Sequence, residues 1–215
     1  MKLSDSEILF CDNHLLVAAK PSMLLTQPND SSDPSLEAFA KAWVKKEYHK
    51  PGNVFLHAVH RLDRPVSGLV LFARTSKALS RLNESQRNFE IQRIYIAEVE
   101  GQLALKSGKL DHYLIHGDHR AIVAKENEPQ AKHARLTYEV IRHNQRTTHV
   151  SIELETGRYH QIRAQFSASG HPIVGDQKYG AKTGHSKSIH LHSAKLYFKH
   201  PTTKELLEFE TPQPF

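Results

Sequence analysis

Apolar and polar positions change register every six to twelve residues, and each change marks an element. Ile8, Leu9 and Phe10, then Leu15 to Ala19, form two short apolar runs around the turn Asp12-Asn13-His14. This is the pattern of two strands, the second closed by Lys20-Pro21, because a residue before proline is pushed to extended geometry. Asp33-Pro34 then predicts a helix start, with Asp33 as N-cap and Pro34 at the first helical position. Leu36, Phe39, Ala40, Trp43 and Val44 follow at one-face helical spacing, which puts Trp43 in the core. Leu69 to Ala73 is a continuous apolar run, the mark of a buried strand. Residues 76–88 read as a polar helix with a narrow stripe of Ala78, Leu79 and Leu82.

Ile91, Ile94, Ile96 and Val99 predict the next strand, and residues 109–116, 135–141 and 148–155 add more, rich in β-branched and aromatic side chains. Residues 161–169 look helical, and strands over 189–198 and 206–209 finish the chain. Many strands interrupted by three helices, without regular alternation, predict an α+β fold with a mixed, mainly antiparallel sheet and flanking helices. A doubly wound nucleotide fold is not expected, since no glycine-rich phosphate loop is present. At 215 residues without repeats or a linker, residues 1–215 are expected to form a single domain.

Composition narrows the partners. Lys and Arg total 29 against 23 Asp and Glu, a net charge of +6, which favours a polyanion because neutralised phosphates release counterions. The single cysteine, Cys11, excludes an intramolecular disulfide and a thiolate zinc cluster, and suggests a reducing compartment. The first residues carry charges where a signal peptide needs an apolar stretch, and no window approaches a membrane span. A soluble, cytoplasmic protein is expected.

Two stretches carry candidate chemistry. In 57–75, Asp63 lies between Arg61 and Arg64, just before the buried run. Such a carboxylate is either a surface ion pair or a group held ionised in a cleft by cations, able to act as nucleophile or base. The guanidiniums suit phosphates. In 155–180, Thr156-Gly157 ends a strand and is expected to cap a helix, placing His160 and Arg163 three residues apart on one face.

Together these stretches resemble the RluA-type pseudouridine synthases, over nearly the whole chain. The resemblance runs through Val17-Ala18-Ala19-Lys20-Pro21, His60-Arg61-Leu62-Asp63 with Ser67-Gly68-Leu69, and Arg93-Ile94-Tyr95 with Val99-Glu100-Gly101. It continues through Gly157-Arg158, His160-Gln161-Ile162-Arg163, Gly170-His171-Pro172-Ile173 and Gly175-Asp176, to Leu191-His192-Ser193 and the final Thr211-Pro212-Gln213-Pro214. It implies the family's fold with a central active-site cleft, and isomerisation of uridine in large-subunit ribosomal RNA, transfer RNA or both. By the same resemblance Asp63 is the catalytic aspartate, Tyr95 packs on the target base, and Arg163 pairs with Asp63. Arg61 matches a position that enters the space left by a flipped nucleotide. Arg64, Arg158, His160 and Gln161 are expected to contact RNA. No cofactor is implied, and a monomer is expected.

The chain departs from the family pattern at Val66 and Tyr159, where threonine is usual, and at Met23, where glycine is. The last two bear on substrate fit. It also begins directly in the catalytic segment, so the small N-terminal RNA-binding module of many relatives is expected to be lacking. Sixteen histidines invite a metal reading, with His190 and His192 on one strand face and His112, His116 and His119 close together. No zinc-hydrolase helix pattern or cysteine pair supports it, and no metal is expected. Two rivals to the isomerase are an RNA-folding module without chemistry and a nucleoside hydrolase. The hydrolase would need a second carboxylate as acid, and no paired-carboxylate motif is present.

Overall fold

The computed structural model describes residues 7–184 and 188–215. In chain order the elements are β1 (Ile8–Cys11), β2 (Leu15–Lys20), α1 (Leu36–Glu47), β3 (His57–Ala58), β4 (Ser67–Ala73), α2 (Ser76–Arg87), β5 (Gln92–Glu100), β6 (Ser107–His116), β7 (Ala121–Ala124), β8 (Lys132–His143), β9 (Thr147–Leu154), α3 (Gln161–Ala168), β10 (Leu191–Lys199) and β11 (Leu206–Glu210). The chain divides into two compact units, Met1–Gln92 with Ser193–Pro212, and Arg93–His192 with Gln213–Phe215. Most predicted strands lie within two residues of their expected bounds. β3 and β7 were not expected from the sequence, being too short to show a period.

In the first unit the strand order is β1-β2-β4-β10, with β3 added to β4 and β11 to β10. β2 and β4 run antiparallel from Leu15 opposite Ala73 to Lys20 opposite Gly68. Every residue of β4 is buried, so its apolar run has no polar alternation. Leu15, Val17, Leu69 and Leu71 face Ala78 and Leu82 of α2, with Leu196 and Phe198 in the same cluster. The stripe on α2 is narrow because the helix covers only that one face. Truncating a leucine here, such as Leu71→Ala, is expected to cost about 2–5 kcal/mol. Gly68 fixes the approach of β4 to β10: a Cβ there would lie 2.3 Å from the Ser193 carbonyl oxygen, and its φ is +117°. Only glycine fits.

Helix α1 begins later than the sequence suggested. Ser35, not Asp33, is the N-cap: its backbone is extended and its hydroxyl accepts from the Ala38 N–H. The Leu36 N–H donates to the Leu25 carbonyl, which keeps the chain extended through Pro34. Asp33 instead pairs with Arg64. Trp43 is half-buried, edge-on to Tyr48, rather than in the core.

In the second unit the order is β5-β9-β8-β6-β7, all antiparallel. Helix α3 packs on β6 and β7 through Ala164, which meets Leu114, Ala121, Ala134 and Tyr179. Its start also differs from expectation. His160 is the N-cap residue, in the left-handed conformation at φ 52°, with no side-chain cap. The Thr156 hydroxyl donates to the Gln161 side-chain oxygen and accepts from the Arg135 N–H, so it does not accept from a helix N–H. Among the described residues, no helix is long and apolar enough to cross a membrane.

Candidate active site

Asp63 lies half-buried on the loop between β3 and β4, at the start of a turn closed by the Val66 N–H donating to its carbonyl at 3.0 Å. The segment after β2 backs this turn at four places. The Thr26 hydroxyl donates to the Leu62 carbonyl at 2.8 Å and accepts from the Leu62 N–H at 3.0 Å. The Ser22 hydroxyl donates to the Pro65 carbonyl, and the Met23 N–H to the Arg64 carbonyl. The Lys20 ammonium, 1% exposed, reaches the carbonyls of Pro21, Leu24 and Arg64 at 3.0, 2.7 and 3.1 Å.

Burial pushes the Lys20 pKa down to about 7, against the opposing pull of the Asp63 carboxylate; the Arg64 guanidinium lowers it further. A buried amine under a turn is therefore coupled electrostatically to the carboxylate that the turn presents. Met23 holds φ 67°, a left-handed conformation that costs a non-glycine residue about 1–2 kcal/mol.

The two arginines flanking Asp63 are exposed. Arg64 pairs with Asp33 at 2.9 Å, a solvent-facing contact that contributes little and that a phosphate could replace. The next buried histidine, His60, accepts the Leu71 N–H on Nε2 at 3.3 Å and ties the loop to β4.

In the second unit, Tyr95 stands on β5 opposite Ile152, its side chain almost wholly buried. Arg163, on α3, grips Asp176 with two parallel bonds, Nε to Oδ2 at 2.7 Å and Nη2 to Oδ1 at 2.8 Å. Both residues are buried, at 4% and 1% exposure. Nη1 of Arg163 lies 3.0 Å from His160 Nε2, so the two side chains meet although His160 precedes the helix instead of sharing a helical face with Arg163. Since guanidinium can only donate, that imidazole nitrogen accepts and Nδ1 carries the proton. Nδ1 then donates to the Tyr179 hydroxyl at 2.9 Å, which also accepts the Ala121 N–H.

Gln161 is equally committed. Its side-chain oxygen accepts from the Thr156 hydroxyl and the Arg158 N–H, and its amide donates to the Arg135 carbonyl. His160 and Gln161, expected to contact RNA, are thus buried, and their side chains hold the loop that carries Arg158. Arg158 is exposed, its Nε anchored on the His133 carbonyl at 2.8 Å.

Sequence reasoning missed four of these side chains. Lys20 ends a strand and belongs to the Val17-Ala18-Ala19-Lys20-Pro21 motif, but the sequence assigns it no role, although a lysine ending a buried strand is a signal in itself. Asp176 was quoted within a motif without a role; a lone acid thirteen residues after a buried arginine was its only signal. Thr26 and Tyr179 gave no signal. For the histidines, no group of three or more His, Cys, Asp or Glu among the described residues could hold a metal ion. His190 bonds Glu98 at 2.6 Å and His112 bonds Gln165 at 3.1 Å.

A half-buried carboxylate on a braced turn, flanked by exposed guanidiniums, can serve proton transfer or nucleophilic attack on an anionic substrate. The family profile described as RNA pseudouridylate synthase matches residues 14–168. A dual-specificity RNA pseudouridine synthase, RluA, of Pasteurella multocida (strain Pm70) is 35% identical over 97% of this chain and 94% of its own. Ribosomal large subunit pseudouridine synthase C of Salmonella typhimurium (strain LT2) is 33% identical over 95% of this chain and 66% of its own. Among solved structures, human RNA pseudouridylate synthase domain containing 4 superposes with a TM-score of 0.81 at 21% identity, covering 97% of this chain and 89% of that one.

Proposed function

The chain belongs to the RNA pseudouridylate synthase family, isomerases that act on uridines in RNA, and from that premise we propose that Asp63 is its catalytic residue. The braced turn carries this reading: the side chains of Lys20, Ser22 and Thr26 and the Met23 N–H hold the backbone on both sides of Asp63. In the reaction the N1–C1′ bond breaks, the uracil turns, C5 bonds to C1′, and one proton moves from C5 to N1. That balance calls for no oxidant and no external nucleophile. The carboxylate acts at the ribose, either on C1′ or on the 2′ proton.

Tyr95 serves as the face against which the target base packs. Arg163 is a second catalytic candidate, pairing with Asp63 by family resemblance while its fork to Asp176 fixes its orientation. Arg61 fills the space of the extruded nucleotide, whose flipping exposes the glycosidic bond. Arg64 and Arg158 contact phosphates, and His160 and Gln161 position the Arg158 loop. Residues 1–215 serve as a single catalytic domain, a reading supported by the profile match, which runs through both compact units; a monomer acting in the cytoplasm is part of the same proposal. The substrate is large-subunit ribosomal RNA, transfer RNA or both: the first is in the name of the Salmonella typhimurium relative, and the second follows from the resemblance of the motifs. Pseudouridine mapping of total RNA with and without the gene tests this. Loss of sites confined to those RNAs is expected, and an unchanged map contradicts it.

A further inference from the structure

Tyr159 replaces a threonine usual in the family, and the role proposed above leaves it unused. Its ring lies in a column of three. His160, buried, stacks on one face at 3.9 Å between centroids, and exposed His116 stacks on the other at 4.0 Å. The inner end of this column is fixed by the bonds of His160 to Arg163 and Tyr179. The column cannot tilt without breaking that buried network.

Beside it opens a cavity of about 460 Å³, lined by Leu114, His116, Gln130, Lys132, Arg158 and Tyr159 among others. Ligand sites of small molecules start at about 300 Å³, so one nucleotide fits. No acidic side chain lines it among the described residues, and two cations do. Arg158 is held in place by its bond to the His133 carbonyl. Rigid ring faces next to cations are the two components of single-strand recognition, a stacking surface and a phosphate clamp.

We infer that this cavity is a second nucleotide subsite. It takes an unpaired nucleotide of the RNA other than the isomerised uridine, its base continuing the column on His116 and its phosphate against Lys132 and Arg158. The inference rests on RNA being the substrate, and it locates selection of the RNA partly in a pocket that the chain owes to Tyr159.

The test is a binding titration of the full chain carrying Asp63→Asn with a short fluorescein-labelled oligouridylate, followed by anisotropy. His116→Ala is expected to weaken binding about tenfold, and His116→Phe, which keeps a stacking face, to stay within about twofold of the parent. Lys132→Gln should flatten the log–log salt slope by about 0.7, one phosphate contact on a single strand. With Asp63 intact, His116→Ala should raise KM for RNA and leave kcat unchanged, the signature of lost uniform binding. Parental affinity in His116→Ala overturns the subsite, and so does equal weakening in the alanine and phenylalanine variants. His116 is exposed, so neither variant threatens the fold. Failure of the catalytic reading would appear elsewhere, as absence of turnover by the parent chain, and the binding titration does not depend on it.

Discussion

The turn around Asp63 and the network around Arg163 are held in opposite ways. Thr26, Ser22 and Lys20 brace the turn by hydrogen-bonding its backbone, at Leu62, Pro65 and Arg64. The Arg163 network is side chain to side chain: carboxylate, guanidinium, imidazole and phenol each satisfy the next. A backbone-braced turn tolerates exchange of the side chain it presents. A closed chain of buried side chains does not, because removing one leaves the others unsatisfied in a low-dielectric interior. The difference teaches where chemistry and architecture can be separated by mutation.

Substitutions should expose that difference, beginning with Arg163→Met. It leaves Asp176 buried without its bidentate partner, and urea unfolding should show a loss of about 3–5 kcal/mol. Adding Asp176→Leu should restore part of that stability without restoring turnover. Full stability in the single variant would show that the ion pair does not hold the second unit together.

Lys20→Met removes the donor to three carbonyls and should cost about 1–3 kcal/mol. Its pH dependence is distinctive. The Lys20 pKa is near 7 in the folded chain against an ordinary 10.5, so the unfolded chain binds more protons between those values. Stability of the parent therefore gains from this group as pH rises above 7, by up to about 1.4 kcal/mol per pH unit. The gap between parent and Lys20→Met should widen from pH 7 to pH 9. A gap that stays constant over that range would mean Lys20 keeps its proton when folded.

Thr26→Val keeps the shape and deletes the hydroxyl that brackets Leu62, for about 1–2 kcal/mol. It should lower turnover more than RNA affinity, since it loosens the residue before Asp63. Equal losses in both would reduce Thr26 to a packing residue. Arg64→Ala should change stability by less than about 0.5 kcal/mol, because its pair with Asp33 is exposed. It should weaken all RNAs alike and reduce the salt slope by about 0.7–0.9. An unchanged slope would leave Arg64 to Asp33 alone.

Most of the fold was legible because its strands alternate or run apolar and its helices carry stripes. Helix starts were less so. Asp33-Pro34 looked like a cap, yet the bond from Leu36 to Leu25, distant in sequence from the local signal, carried the extended chain to Ser35. The same holds at α3, where the Thr156 hydroxyl went to Gln161 and left-handed His160 took the cap position. Asp63, Tyr95 and Arg163 stand out as candidates through ordered motifs. Lys20, Thr26 and Asp176 were not, since a donor to a remote backbone carbonyl or a buried counter-ion has no local pattern. Burial of His160 and Gln161 was hidden for the same reason: both sit beside exposed Arg158 in sequence.

The most direct measurement is tritium release from RNA labelled at C5 of uridine, made with parent and Asp63→Asn side by side. The amide keeps the shape of the side chain and the backbone bracing of the turn, but it can act neither as base nor as nucleophile. The expected result is release by the parent and none above background by the variant, with RNA affinity and thermal midpoint close to parental. Clear tritium release by a folded Asp63→Asn chain would contradict the assignment of Asp63 as the catalytic residue.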